Sequence, residues 1–312
     1  MHLKLPFNIS KITLIFGAPL VAMACTSYSI QVETEAVGDS FPASNNVRNN
    51  HNDKNTSGVL KILTLNVAHG RKDAFNQMLV TKKTIQQNLS DIAAVLIKEN
   101  ADVVALQEAD GPSGWSGKFD HVELIAQQAG YPWYYRADHA RSWLFSYGTA
   151  VLSRWPISET IEHTFTPSPP TLNKGFLLSH MTWQSDEAAD NKLEIDIVSV
   201  HLDFSRQKVR EQQISEIAEA LSEREHPMII LGDFNSEWFS DESVVKALAE
   251  EAQLKVYEPQ AENMRTYVSR DRRFDWILIS SELEFVSYRV LPDVISDHLA
   301  VVAEVKVTNV RP

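Results

Sequence analysis

An acidic residue and an amide residue follow a run of four apolar residues in the second half of the chain. Residues 228–231 predict a buried strand, Gly232 ends it, and Asp233 and Asn235 come directly afterwards. If the chain stays extended there, the two side chains point the same way and form an oxygen-rich site of the kind that Mg²⁺ binds. An Asx-turn that closes the strand is the alternative interpretation of the same residues.

Most of a set of similar polar residues end or follow other predicted strands, and several are at positions where a polar side chain does not help folding. One such coincidence carries little weight, but a set of carboxylate, amide and imidazole groups in one chain is typical of an active site. The remaining members of this set are Asn66, Glu108, His201, Asp275, Asp297 and His298.

Two pairs within this set indicate specific chemistry. Asn66 and Glu108 end neighbouring predicted strands and together can hold a Mg²⁺ that keeps several of its water ligands. Asp275 lies inside an apolar strand, where a carboxylate needs a partner. We expect that partner to be His298, because a carboxylate bound to an imidazole orients the ring and stabilises its charged form. A salt bridge to one of the two preceding arginines is the alternative.

The elements that must position these residues alternate between strands and helices. Residues 59–67 and 102–108 predict two buried strands, and residues 84–99 between them have apolar side chains at helical spacing. This order favours a right-handed crossover that brings both strand ends to one edge of a sheet. The other predicted helices are 120–130, 205–223 and 241–252, and the other predicted strands are 133–135, 148–155, 174–183, 193–202, 273–279, 284–291 and 298–307.

Length, composition and charge set the class of the protein. The chain has 312 residues, of which 44% are hydrophobic and 22% are charged, and this fits one domain of two packed sheets with helices outside. The net charge is -12, so bulk electrostatics does not attract nucleic acid. A phosphate-bearing substrate therefore needs a metal ion or a local basic patch.

The first 57 residues are not expected to belong to the fold. Residues 1–24 are typical of a signal peptide, with a basic region, an apolar stretch and small residues before Cys25. We expect Cys25, the single cysteine, to become the lipidated first residue of a bacterial lipoprotein; plain cleavage after Ala24 is the alternative. Residues 25–57 predict a flexible tether before a domain over residues 58–312. The expected location is the cell envelope, in the periplasm or at the outer membrane, or outside the cell for a secreted form.

Seven segments resemble motifs of the endonuclease/exonuclease/phosphatase family, of which deoxyribonuclease I is a member. They occur in the family's order from about residue 59 to residue 307, and the fifth and seventh are highly specific together. The segments are Thr64-Leu65-Asn66-Val67, Leu106-Gln107-Glu108, Gly148-Thr149-Ala150-Val151-Leu152-Ser153-Arg154, Val200-His201-Leu202-Asp203, Gly232-Asp233-Phe234-Asn235-Ser236, Arg273-Phe274-Asp275-Trp276-Ile277 and Ser296-Asp297-His298.

The resemblance implies a fold and a metal site. The fold is of the α+β class, a four-layer α/β/β/α sandwich of two mixed, mainly antiparallel sheets, with the site where the loops of the two sheets meet. Residues 58–312 are then the catalytic domain. Glu108 is implied as the main ligand of Mg²⁺, with Mn²⁺ as the alternative ion, and Asn66 and Asp297 assist it.

The resemblance also implies five catalytic residues. Asp233 and Asn235 position or activate the attacking water and the scissile phosphate. His298, held by Asp275, acts as a general base or contacts the phosphate. His201 stabilises the charge of the transition state or protonates the leaving oxygen. These assignments agree with the physics, because phosphoester cleavage builds negative charge on oxygens that Mg²⁺ and imidazolium can neutralise.

These inferences predict a monomeric, magnesium-dependent hydrolase of phosphoester bonds. A phospholipid headgroup or a small phosphodiester is favoured over duplex DNA, because the chain is acidic, contains 7 tryptophans and is expected to associate with a membrane through lipidated Cys25. A secreted or surface nuclease acting on DNA or RNA is one alternative, and a non-catalytic binding lipoprotein on the same fold is another. Lys174, Arg141 and Arg154 are candidate phosphate contacts, with a solvated surface charge as the alternative.

An aromatic-rich stretch at residues 131–147 has more than one interpretation. Trp133 and Tyr135 predict core packing within a strand. For residues 143–145 a loop is predicted, and a wall facing a substrate or a membrane remains the alternative to core packing.

Overall fold

The computed structural model describes residues 30–32, 58–184 and 192–308. The strands are β1 (Ile30–Val32), β2 (Val59–Asn66), β3 (Val103–Asp110), β4 (Trp133–Arg141), β5 (Ser146–Ser153), β6 (Ile157–Thr164), β7 (Gly175–Gln184), β8 (Lys192–His201), β9 (Met228–Asp233), β10 (Lys255–Val256), β11 (Asp275–Ile279), β12 (Leu283–Val290) and β13 (Val301–Val307). The α-helices are α1 (Lys82–Glu99), α2 (His121–Ala129), α3 (Gln207–Leu221) and α4 (Val244–Glu251). No helix in these described ranges is long and apolar enough to cross a membrane.

The strands form two sheets, each with one parallel pair among antiparallel neighbours. The strand order is β1-β6-β7-β8-β9-β11-β10 in the first sheet and β12-β13-β2-β3-β5-β4 in the second. The parallel pairs are β8 with β9 and β2 with β3, and α3 and α1 connect them. Because strands joined by such a crossover run the same way, the two strands of each pair end together. A hydrogen bond from Asn66 to Asp233 joins the ends of the two pairs, so all four strands end at one edge, which we call the carboxyl edge.

Three apolar cores join the sheets and helices into four layers. One core lies between the second sheet and the helices α1 and α2 and includes Ile85. A second core lies between the two sheets and includes Ile62 and Ile229. A third lies between the first sheet and the helices α3 and α4 and includes Ile217 and Leu248. The predicted α/β/β/α sandwich is therefore confirmed.

The crossover helix α1 has local signals at both ends. The Oγ1 atom of Thr81 accepts a hydrogen bond from the backbone N–H of Thr84 at 3.2 Å, which caps the first turn. Asn100 ends the helix in the left-handed conformation, with φ of 52°. These two caps fix where the chain turns back towards β3, and so they fix the start of the strand that carries Glu108.

Three strands of the structure are not predicted from the sequence: β1, β6 and the two-residue strand β10. No strand was predicted at residues 157–164, because polar residues separate Ile157 and Ile161 there, yet these residues form β6. Residues 30–32, inside the predicted tether, pair with β6 as strand β1, so this part of the tether belongs to the first sheet. The predicted signal peptide and the other tether residues lie outside the described residues.

Candidate active site

Four polar side chains lie side by side at the carboxyl edge of the first sheet. In the strand register His201 is opposite Asp233, and Asp233 is opposite Asp275. Lys174 comes immediately before Gly175, which is opposite His201. All four side chains are buried, so the spacing of the strands sets their mutual distances.

Gly232 is required for this arrangement. Its φ is 148°, and a β-carbon there would lie 2.0 Å from the carbonyl oxygen of Val200 on the neighbouring strand. Only a glycine therefore lets β9 lie against β8 at the residue before Asp233.

Asp233 has a hydrogen bond on each carboxylate oxygen. Oδ1 accepts from the backbone N–H of Asn235 at 2.9 Å, so the Asx-turn considered from the sequence is present. Oδ2 accepts from Nδ2 of Asn66 at 3.0 Å, which links the carboxyl edges of the two sheets. Asn235 has φ of 48°, so the chain does not stay extended, and its side chain donates to the carbonyl oxygen of Leu202 at 3.1 Å. The Asx-turn therefore holds the Asp233 carboxylate at the site, and its presence does not exclude a chemical role for this residue.

Glu108 lies on a β-bulge within the second sheet. The pairing of β3 with β5 shifts between Gln107 and Ala109, and Glu108 has φ of 51°. The strand continues to Asp110, two residues beyond the predicted end. A bulge re-aims the side chain of the extra residue, and here Glu108 contacts charged groups from both sheets.

His298 and Asp275 form the pair that the sequence predicts. Nδ1 of His298 lies 2.8 Å from Oδ2 of Asp275, and Nε2 lies 3.8 Å from Oδ2 of Asp233. Burial acts to lower the pKa of His298, but the charges of the two aspartates outweigh it and raise this pKa to about 10. The ring is therefore charged at neutral pH. The arginines at positions 272 and 273 make their contacts elsewhere.

A second histidine–carboxylate pair, not identified from the sequence, lies beside Glu108. Nδ1 of His69 lies 2.7 Å from Oδ1 of Asp110, and Nε2 lies 3.1 Å from Oε2 of Glu108. Burial acts to lower the pKa of His69, but Asp110 and Glu108 raise it overall. The ring also packs against Trp115 and Tyr147. His69 follows β2, which ends at Asn66, and Asp110 is the last residue of β3, two residues after Glu108. This closeness to two predicted site residues was the available signal.

Lys174 brings a positive charge into the centre of the site. Its Nζ atom lies 3.2 and 3.3 Å from the two ring nitrogens of His201 and 3.9 Å from Oε1 of Glu108. Nε2 of His201 lies 3.8 Å from Glu108 and 3.7 Å from Asp233. Burial, reinforced by Lys174, lowers the pKa of His201 well below its usual range, so this ring is neutral.

The carboxylates at this edge offer two places for a divalent cation. Asp233, Asp275 and His298 present ligand atoms within 4.8 Å of one another, but all three side chains are buried and the imidazole is already paired with Asp275. Glu108 is more open, with 18% of its side chain exposed. Although burial opposes its ionisation, the positive charges around it lower its pKa well below the usual range. Because Mg²⁺ keeps several waters, the ionised and accessible Glu108 fits it better.

The two assisting ligands implied by the resemblance are already hydrogen bonded. Oδ2 of Asp297 accepts from Nη2 of Arg71 at 2.7 Å. Oδ1 of Asn66 accepts from the backbone N–H of Ala68 at 3.0 Å and has a second lone pair. Arg71 was not identified from the sequence; it belongs to the same loop as His69, so this loop contacts both Glu108 and Asp297.

The three candidate phosphate contacts lie in different places. Lys174 is inside the site. Arg141 is exposed near the carboxyl edge and pairs with Asp138. The prediction for Arg154 is wrong, because β5 runs antiparallel to β3 and ends at the opposite edge, where this arginine donates to the carbonyl oxygen of Ala101 at 3.1 Å.

The aromatic-rich stretch divides between the core and the carboxyl edge. Trp133 and Tyr135 are half-buried, and the tyrosine packs against the core between the sheets. Trp143 is 88% exposed in the turn after β4. Phe145 and Tyr147 pack with Trp115. The part left open by the sequence therefore lies at the carboxyl edge, beside the candidate site.

The sequence profile of the endonuclease/exonuclease/phosphatase family matches residues 63–298. The chain belongs to the endonuclease/exonuclease/phosphatase family. The match includes every metal-binding and catalytic residue that the sequence predicts. Members of the family are generally hydrolytic phosphoesterases that typically use a divalent metal. No curated protein sequence is significantly similar to the chain.

Solved structures share the fold at low sequence identity. An endonuclease/exonuclease/phosphatase family protein from Leptotrichia buccalis has a TM-score of 0.61 and 18% identity, over 79% of this chain and 99% of that chain. A mannosyl-6-phosphatase from Bacteroides thetaiotaomicron has a TM-score of 0.58 and 16% identity, over 79% and 99%. A beta toxin from Staphylococcus aureus has a TM-score of 0.55 and 18% identity, over 78% and 99%. These likenesses support the sandwich fold and do not select a substrate.

Proposed function

We propose that the protein is a metal-dependent phosphodiesterase that acts on a phospholipid headgroup or another small phosphodiester. The observation that carries this proposal is the convergence of chemically active groups at one edge. His201, Asp233, Asp275 and Lys174 come from the first sheet, and Glu108 comes from the second. Such a cluster of buried titratable groups has no role in folding that apolar residues would not serve better.

Each residue around Asp233 has a role in this proposal. Burial raises the pKa of Asp233, Asp275 adds to that effect, and His298 acts against it. A carboxylate of raised pKa suits a general base that takes a proton from the attacking water. The charged His298, held by Asp275, contacts a phosphate oxygen and stabilises its negative charge. The Asx-turn through Asn235 holds the base in position.

The groups around Glu108 complete the site. Lys174 and the neutral His201 lie together within 3.9 Å of this carboxylate, where they stabilise the charge that develops on the leaving oxygen. Glu108, assisted by Asn66 and Asp297, would hold a Mg²⁺ or Mn²⁺. A bound divalent ion supplies charge neutralisation at the phosphate oxygens.

The small positive surface of the site favours a small diester over a duplex. Lys174 is the buried cation beside the catalytic groups, while Arg154 lies at the opposite edge and Arg71 is paired with Asp297. Duplex binding usually requires several phosphate contacts by lysine or arginine, and the net charge of -12 opposes it. A surface or secreted nuclease remains the alternative, and a non-catalytic binding lipoprotein is disfavoured because every implied catalytic position is filled.

A panel of substrates tests this function. We expect Mg²⁺-dependent hydrolysis of bis-p-nitrophenyl phosphate and of phospholipid or sphingomyelin headgroups, and little hydrolysis of plasmid DNA, RNA or a sugar monophosphate. EDTA should abolish the activity, and the variant His298→Ala serves as the matched inactive protein. Preferential cleavage of DNA or RNA would favour the nuclease alternative. Hydrolysis that persists in EDTA and in the variant would contradict the proposed site.

We further propose that the protein is an exported, monomeric lipoprotein of the cell envelope. The support is the sequence of residues 1–25, with its basic and apolar regions and the single cysteine at position 25. Mass spectrometry of the membrane fraction should show a mature chain that begins with diacylated Cys25, and Cys25→Ser should move the protein to the soluble fraction. An unmodified N-terminus in the soluble wild-type protein would refute lipidation.

A further inference from the structure

Exposed apolar side chains are concentrated at the carboxyl edge. Twelve large apolar side chains among the described residues are exposed. Ile97, Tyr134 and Val286 lie elsewhere, and the other nine lie on loops at this edge. We call the six most exposed of these nine the apolar rim: Phe75, Met78, Leu79, Trp143, Phe204 and Phe239.

The apolar rim surrounds the site because its loops come from both sheets. Phe75 lies in the loop that follows β2, and Trp143 lies in the turn between β4 and β5. Phe204 and Phe239 lie in the loops that follow β8 and β9. The loops after β2, β8 and β9 directly continue strands that carry site residues, and the turn between β4 and β5 lies at the same carboxyl edge. A surface that contacts the rim therefore also faces the site.

Exposed side chains of this size are costly to keep in water. Phe75 is fully exposed, Trp143 is 88% exposed and Phe204 is 64% exposed. Single exposed apolar residues are ordinary, but a concentration at one edge marks an interaction surface. The rim side chains stand on at least four separate loops, so they do not form a single groove for a peptide or a helix. Separate protrusions suit the soft interface of a bilayer, where Trp and Phe insert between lipid headgroups.

We propose that the apolar rim inserts into the surface of a phospholipid bilayer and holds the site against the layer of phosphodiester headgroups. This inference rests on the proposed function for the identity of the substrate. Membrane binding by the rim is measured separately, in an assay that needs no catalysis. The rim contributes area for binding, whereas the catalytic groups lie buried between the loops.

The direction of β1 supports the same orientation. β6 runs towards the carboxyl edge, where Thr164 is opposite Gly175. β1 is antiparallel to β6, so its first residue, Ile30, is the end nearer the carboxyl edge. Cys25 precedes Ile30 by five residues, which span at most about 18 Å when fully extended. A lipid on Cys25 would therefore enter the bilayer close to the edge that carries the rim.

The acidic charge of the chain distinguishes electrostatic membrane binding from binding through apolar side chains. A protein with a net charge of -12 is not drawn to anionic lipids by bulk electrostatics. Binding through the rim depends on buried apolar area, so it should occur on zwitterionic phosphatidylcholine vesicles and survive high salt.

The experiment uses the mature full-length chain with Cys25→Ser, so that no lipid anchor contributes. The rim variant carries Phe75→Ser and Phe204→Ser, which remove one apolar side chain from a loop of each sheet. The matched control carries Ile97→Ser and Val286→Ser, two exposed apolar residues away from the edge. Co-sedimentation with phosphatidylcholine vesicles should show a partition coefficient at least about tenfold lower for the rim variant and unchanged for the control.

Three results would overturn the inference: no vesicle binding by the parent, equal losses in both variants, or binding that salt abolishes. Hydrolysis of soluble bis-p-nitrophenyl phosphate separates this failure from failure of the proposed function, since the rim variant should retain the parent's rate. Rim-dependent vesicle binding without any hydrolysis would refute the function and leave the membrane surface intact. Hydrolysis without rim-dependent binding would do the reverse.

Discussion

Replacing His298 by alanine is expected to lower kcat about a thousandfold, within the range found for positioned acid, base and electrostatic groups. The imidazole is buried, hydrogen bonded to Asp275 at 2.8 Å and 3.8 Å from Asp233, so no water can reproduce its charge at that point. The variant should still fold, because the ring lies at the edge of the sheet and outside the three apolar cores.

Asp275→Asn tests whether the two residues act as one unit. The amide keeps the size of the side chain but removes the charge that holds the imidazolium, and we expect kcat to fall about 10- to 100-fold, as for other groups that act through a neighbour. The double variant should be little worse than His298→Ala alone, because groups that act together are not additive. Multiplicative losses in the double-mutant cycle would show that Asp275 serves the fold or the metal independently.

The pH dependence of stability gives a second readout of the same pair. The pKa of His298 is raised from 6.5 to about 10 in the folded protein, so the folded state binds this proton more tightly than the unfolded state. The stabilisation is present in full below the unfolded value and is lost as the pH rises through about 10. In Asp275→Asn this loss should move to lower pH. Urea unfolding in EDTA across this window measures the shift.

Glu108→Gln is expected to abolish most turnover and most Mn²⁺ binding while keeping the fold. Glutamine has the same size and can still accept from His69, but it lacks the negative charge that a hard cation requires. Isothermal titration with Mn²⁺ measures the binding, and thermal unfolding checks the fold. Glu304→Gln is the matched control, since this glutamate is half-buried on β13 of the same sheet and bonded to Ser287. Equal Mn²⁺ affinity in wild type and Glu108→Gln would place the metal elsewhere.

The sequence predicted the strand ends better than the groups beyond them. The apolar runs before Asn66, Glu108 and Asp233 identify three strands, and the helical spacing over residues 84–99 identifies the crossover between the first two. These patterns reflect burial directly. His69 was missed because two consecutive left-handed residues, with φ of 46° and 54°, turn the chain there, and no apolar pattern signals such a turn.

The errors at Arg154 and at strand β6 have a common physical cause. Arg154 was a candidate phosphate contact on the basis of its charge, but the direction of β5 relative to β3 puts it at the opposite edge. Strand β6 was missed because it is the second strand from one side of its sheet and carries polar residues between Ile157 and Ile161. Strand direction and edge position depend on pairing between distant segments, which a local pattern does not encode.

Anomalous diffraction from crystals soaked in Mn²⁺ locates the metal, because the carboxyl edge contains two groups of carboxylates that compete for the ion. We expect one strong peak beside the Glu108 carboxylate, on the side of Asn66 and Asp297, and the loss of that peak in Glu108→Gln. A peak held instead by Asp233, Asp275 and His298, or no peak at the carboxyl edge, would refute the assignment of Glu108 as the metal ligand.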